Sequence, residues 1–239
     1  MYGLGYGYGF YMDWTYIFIL IGAVISMMAS SKVKSTFSRY AKVPTRSGMT
    51  GAQAAAQILQ MAGIYDVNIV PISGSLTDHY DPVHKTLSLS QSVYNQYSVA
   101  AVGVAAHECG HAIQDKEGYA MLRLRGALVP VCNFGSHFSW LLIILGVVLS
   151  WNQMLIRLGI ALFCAVVLFH LVTLPVELNA SARALKMLEG SGMLIGQENE
   201  QARQVLSAAA MTYVASAAAS VLQLLRLIML FGNNRGRRR

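Results

Sequence analysis

Ser98-Val99-Ala100-Ala101-Val102-Gly103-Val104-Ala105-Ala106-His107-Glu108-Cys109-Gly110-His111-Ala112-Ile113-Gln114 is the stretch on which the reading of this chain turns. A helix is expected from about Ser98 through Gln114. Residues four apart on a helix share a face, so the imidazoles of His107 and His111 can reach one ion. Glu108 sits one residue on and can bring its carboxylate to a water on that ion without ligating it. Zinc lowers the pKa of such a water toward about 7, which makes hydroxide available at neutral pH. The flanking AVGVAA is apolar, as expected around a buried active-site helix. With six histidines in 239 residues, chance produces the His-Glu-x-x-His spacing in roughly 0.4% of such chains.

Zinc needs a third protein ligand and an open position. The longer form of the motif with a third histidine is absent: Gln114, Gly118 and Met121 stand where it would be sought. Glu177 is the leading candidate, because it opens the run Glu177-Leu178-Asn179-Ala180-Ser181 directly after an apolar block and beside Pro175. Its bland alternative is a carboxylate favoured by a helix N-terminus. Glu117 is too close along the active helix, and Glu189, Glu198 and Glu200 fall in a stretch that reads as solvated. His170 lies seven residues before Glu177 inside an apolar block, where a neutral ring bonded to a neighbouring helix is the simpler account; His137 is similar. His79 and His84 read as solvated or structural. Asp78, His79 and Asp81 could line a cleft, without a second metal. Cys109 points to another side of the active helix. Asp115, one turn beyond His111, could orient a ligand histidine, and an exposed helix-end aspartate is the equal alternative.

Hydrophobic residues make up 55% of the chain and charged residues 12%, against about 25% charged in a soluble domain. The deficit lies in four apolar blocks. Trp14 to Ser30 approaches the ~20 residues that cross a bilayer, and the lysines after it place its C-terminal end in the cytoplasm. Ala127 to Leu149 and Ile156 to Leu174 form a membrane hairpin around the turn at Ser150 to Gln153. Pro175 marks its exit, and a charged helix from Glu177 to Leu188 is closed by Gly190 and Gly192. Val205 to Phe231 contains one charge, Arg226, and small residues (Ala208 to Ala210, Ala217 to Ala219) that allow close helix contact. If all four blocks cross, the arginine-rich C-terminus lies outside, against the positive-inside rule. Three or four membrane helices are therefore expected.

Residues 32 to about 125 are the extended soluble region. Thr50 and Gln53 have capping-box spacing, and AQAAAQILQMA after them forms a helix that stops at Gly63. Val67 to Ile72 and Thr86 to Leu89 read as strands, separated by the turn formers 73–82, in a small antiparallel sheet. Net charge is +7, with Lys32, Lys34, Arg39, Lys42 and Arg46 after the first block and Arg235, Arg237, Arg238 and Arg239 at the end. That pattern suits membrane lipid and not nucleic acid, since most of the middle is not basic. Cys109, Cys132 and Cys164 imply no disulfide framework. The opening MYGLGYGYGFYMDW has no Lys or Arg, so a cleaved secretory signal is not expected there.

Taken with HECGHAIQ and LPVELNASARAL, the phrases VKSTFSRYAKV, SGMTGAQAAAQIL, LTDHYDPVHKTLSLS and LRGALVPV resemble those of the YugP-like neutral zinc metallopeptidases, a bacterial membrane family. The resemblance implies a gluzincin-like arrangement with one zinc ion held by His107, His111 and Glu177, and with Glu108 as base. Related membrane peptidases read E-x-x-A-D on the later helix; here Ser181 replaces the acid, so any support to the metal ligands from that place must come from a hydroxyl. The β-hairpin before the active helix looks like the gluzincin edge that binds substrate backbone by strand addition.

The expectation is a mostly α integral-membrane protein with a zincin catalytic region. Residues 1–31 form a Gly/Tyr-rich tail and first membrane helix, and 32–126 the catalytic region. A membrane hairpin covers 127–175, the helix with the third ligand 176–204, and a fourth apolar helix with a basic tail 205–239. Its expected function is that of a zinc-dependent endopeptidase of the bacterial cell membrane, its catalytic region cytoplasmic, cutting peptide or protein substrates with zinc-activated water and Glu108 as general base. The other class is a catalytically silent zinc-binding membrane scaffold, against which the intact Glu108 argues, since a structural site needs no base.

Overall fold

The computed structural model describes residues 13–232. The Gly/Tyr-rich tail up to residue 12 and the four C-terminal arginines lie outside the described residues. The elements run α1 (Tyr16–Tyr40), α2 (Gly51–Met61), β1 (Asn68–Ile72), β2 (His79–Asp81), β3 (Thr86–Ser90), α3 (Val99–Lys116), α4 (Ala120–Val148), α5 (Gln153–Ser191) and α6 (Gln197–Phe231).

Local chemistry sets several of these ends. Thr50 Oγ1 accepts from the Gln53 N–H at 3.2 Å, and Gln53 Oε1 accepts from the Thr50 N–H at 2.9 Å, so the capping box starts α2. Ser98 does the same for α3, accepting from the Ala101 N–H. Helix α5 stops at Gly192, which has φ 68°, a left-handed conformation that glycine adopts without a Cβ clash.

The three strands are ordered β1-β3-β2. β1 pairs with β3 in parallel, and β2 pairs with β3 antiparallel. The sheet is therefore mixed and not purely antiparallel. The cause is β2, which lies within the segment read as turn. After β1 the chain passes β3's future place and builds the far edge first, then returns through Pro82 to Lys85 into the middle. Asp78 fixes this path, accepting from the Ser90 N–H at 2.7 Å and the Ser90 hydroxyl at 3.0 Å. Leu87 and Leu89 of β3 join one core with Ile58 and Leu59 of α2, with Val99, Val102 and Ala106 of α3, and with Leu188 of α5.

Four helices, α1, α4, α5 and α6, are long and apolar enough to cross a membrane. Helix α5 has 39 residues, about 58 Å at 1.5 Å per residue, far more than the ~30 Å hydrocarbon core requires. The expected exit at Pro175 is not a helix end, for α5 runs through it unbroken. A proline removes one helical hydrogen bond and crowds the carbonyl four residues back. Here Val172, Thr173, Val176, Glu177 and Ala180 are buried around it, and their packing holds the helix together. Helix α6 likewise starts before its apolar block. Glu198, expected to be solvated, is buried: its carboxylate accepts from the Arg46 N–H at 2.8 Å and the Ile195 N–H at 3.0 Å. A carboxylate in the first turn also suits the helix dipole. Helices α1 and α6 pack antiparallel, with Tyr40 donating to Gln204 at one end and Arg226 over Tyr16 at the other.

Candidate metal centre

The site is made where α3 crosses α5. A Cβ on Gly110 would lie 2.5 Å from the Ala180 carbonyl oxygen. Only glycine at 110 lets the two backbones approach this closely. Glu177 is three residues before Ala180, one turn back along α5, and so faces the His107/His111 side of α3.

Glu177 Oε2 lies 3.2 Å from His107 Nε2 and 3.6 Å from His111 Nε2. One donor atom from each of the three residues falls within 4.8 Å of the others. Glu177 is 2% exposed and Glu108 7%. The second carboxylate oxygen of Glu177 takes an ion pair from Arg125 Nη1 on α4 at 3.1 Å, so the two oxygens have different partners.

A hydrogen bond on the far side of the His111 ring assigns its tautomer. Gln114 Nε2 donates to the Val176 carbonyl at 2.8 Å and to Asn179 Oδ1 at 2.9 Å. Its Oε1 therefore faces His111 Nδ1, at 3.0 Å, and that nitrogen must carry the proton. Ser181 Oγ lies 3.1 Å from His107 Nδ1 and can accept in the same way. Both rings then turn Nε2 toward Glu177. Arg183 extends the network on the Gln114 side, donating through Nε to Asn179 Oδ1 and pairing with Glu117 at 2.7 Å.

Burial opposes the charged form of His111, but the Glu177 and Glu108 carboxylates outweigh it and lift the ring above its ordinary value. Two imidazole nitrogens and one carboxylate oxygen converging in a buried space are a donor set that zinc accepts, with a fourth position left over. Glu108 has no hydrogen-bond or ion-pair partner among the described residues.

Other residues singled out from the sequence lie elsewhere. Asp115 does not touch a ligand histidine; it accepts from the Tyr80 hydroxyl at 2.9 Å and from Lys85 Nζ, tying the sheet to α3. Gln114, at three residues past His111, takes the place beside the ring instead. Burial, the hydrogen bond to Asp115 and its charge push the Tyr80 phenol well above its usual pKa. Cys109 is buried against the Ala55 carbonyl. His137 bonds the Asn133 carbonyl of its own helix, and His84 pairs with Asp81 at 2.6 Å. Gln114 and Arg125 were not foreseen in these roles. The helical spacing from His111 could have marked Gln114; Arg125 carries no local signal.

Residues 15–232 match the family described as "putative neutral zinc metallopeptidase". The chain belongs to this zinc metallopeptidase family. It is 48% identical to the "Putative membrane protease YugP" of Bacillus subtilis (strain 168) over 221 residues, 92% of this chain and 98% of that protein. No solved structure matches. For a member of a zinc peptidase family, the cluster of His107, His111 and Glu177 is the place among the described residues where a metal could be held.

Proposed function

We propose that this chain is a zinc-dependent, membrane-bound endopeptidase of gluzincin-like architecture, with His107, His111 and Glu177 holding one zinc ion and Glu108 as general base. The observation that carries the reading is Glu177 Oε2, buried against Nε2 of both histidines. Bound zinc acidifies water and polarises a carbonyl. Glu108 takes one proton from the attacking water on its carboxylate and delivers it to the leaving amine nitrogen, while the hydroxyl oxygen joins the carbonyl carbon and the C–N bond breaks. Ser181 and Gln114 hold the Nδ1 protons and so fix both rings. Arg125 pairs with Glu177 Oε1, while Oε2 faces both histidines.

The test is a peptide-library digest with detergent-purified protein, paired with metal analysis. Wild type should hold about one zinc per chain and cut peptides. The His107→Ala/His111→Ala variant should hold none. Full zinc in that double variant, or equal turnover by Glu108→Gln, overturns the proposal.

A further inference from the structure

The long helices carry their own depth scale. At one end of the molecule, Trp151 in the α4–α5 turn lies 6.1 Å from Phe231 at the end of α6, centroid to centroid. At that same end the Arg226 guanidinium of α6 lies 4.4 Å over the ring of Tyr16, at the start of α1. Two chain segments thus bring aromatic rings to one level, with Tyr16 of a third about 7.5 Å away along α6, within the interfacial zone where aromatic side chains are enriched.

The other interface is marked on α1. Lys32 is the first charged residue after the apolar block, about 24 Å along the helix from Tyr16 at 1.5 Å per residue. It shares a groove with Ser207, Ala208 and Met211 of α6. The hydrocarbon boundary on α6 therefore falls near those residues. Ser207 and Ala210 also share a groove with Leu178 and Ser181 of α5, beside Glu177.

Measured from the far ends of their helices, Glu177 is about 36 Å from Gln153, Arg125 about 35 Å from Val148, and Ala210, beside Ser181, about 32 Å from Phe231. A hydrocarbon core is about 30 Å thick. The α4–α5 hairpin and α6 thus put the His107/His111/Glu177 cluster near the boundary between hydrocarbon and headgroups, not far out in the aqueous domain.

We infer that the substrate is a membrane-anchored polypeptide, cut in the short extended segment where it leaves the bilayer. The inference rests on the hydrolase reading above. Deeper in the bilayer, backbone groups are locked in helical hydrogen bonds and cannot present an extended peptide bond. Farther out, a chain is beyond the reach of groups held at this depth. A chain anchored by its own helix brings its juxtamembrane bonds to the site at high effective concentration.

Two measurements on the full chain in liposomes test this. A nitroxide on Leu178→Cys, in a background lacking Cys132 and Cys164, reads depth from its relative accessibility to oxygen and to a water-soluble nickel chelate. Depth within about 5 Å of the hydrocarbon edge is expected, and a label more than about 10 Å out in water overturns the geometry. In parallel, a randomised ten-residue segment is offered free, directly after a transmembrane helix, and after a twenty-residue spacer. Cuts should cluster in the first few residues past the bilayer whatever their sequence, with the free and spaced forms slower by at least about tenfold. Equal rates on free and anchored forms overturn the substrate class while leaving the hydrolase reading intact. If wild type is no more active than Glu108→Gln on every form, the hydrolase reading falls and takes this inference with it, while the nitroxide still reports the depth separately.

Discussion

Glu177 and Glu108 are two buried carboxylates for which we propose different duties, and neutral isosteres separate them. Glu177→Gln removes the anionic oxygen that faces both Nε2 atoms; it is expected to lose activity and most zinc while still inserting and folding. Glu108→Gln is expected to keep its zinc and lose about 10²–10⁴-fold in turnover. Metal content and turnover measured on the same preparations decide both, and wild-type zinc in Glu177→Gln would remove it from the ligand set. Gln114→Leu keeps the bulk of the side chain and deletes the acceptor for His111 Nδ1; zinc affinity should drop about 10–100-fold, read by competition with a chelator. The raised pKa of His111 has a sign that can be checked. Its proton competes with the metal, so zinc binding should weaken as pH falls through that raised value. In the metal-free protein the charged ring stabilises the pair with Glu177. That contribution is full at acid pH and is lost as pH rises through the same value. Equilibrium dialysis of zinc across about pH 6 to 8 reads the first effect, and thermal melts of the metal-free form read the second.

At the scale of elements, the contact that matters most is the crossing of α3 over α5. Gly110→Ala puts a methyl 2.5 Å from a backbone oxygen that has no side-chain freedom to yield. The helices must separate, at about 1–3 kcal/mol for overpacking of this kind, and the shift moves Glu177 away from the two histidines. Loss of zinc larger than the loss in melting temperature is the expected signature. Gly126→Ala is the control, since a Cβ there meets nothing within 4 Å and alanine favours the helix. Equal zinc content in the two variants would show that the crossing does not set the site.

The whole molecule poses the question of orientation. Lys32, Lys34, Arg39, Lys42 and Arg46 follow the first candidate span closely enough to orient it, and we expect the domain with α2, the sheet and α3 to face the cytoplasm. Single cysteines at Lys42 and Ser73 should resist an impermeant thiol reagent added to intact cells and react after permeabilisation. Labelling from outside reverses the orientation. The arginines at the C-terminus would then lie opposite the domain, and with four crossings one of the two basic clusters has to be on the outer side whichever way the chain inserts.

What could be read from the residues alone is what short-range physics encodes. The spacing of His107 and His111 is a helical repeat, Thr50 and Gln53 are a cap closed within one turn, and the apolar blocks announce their lengths without reference to any partner. Glu177 could be proposed because a zinc site needs a further donor and few acidic residues stand at a membrane exit. Long-range contact decided the rest. The mixed strand order depends on where β2 lies relative to β3, and no local period records that. Continuity of α5 through Pro175 depends on what packs against Val172, Val176 and Ala180, which outweighs a local helix breaker. Glu198 is buried because Arg46, far away in sequence, offers it a backbone N–H. Gln114 and Ser181 reach across from one helix to the other only because Gly110 meets Ala180, since a hydrogen bond between α3 and α5 exists only at the separation that this crossing imposes, and Arg125 reaches Glu177 only because α4 packs beside α5.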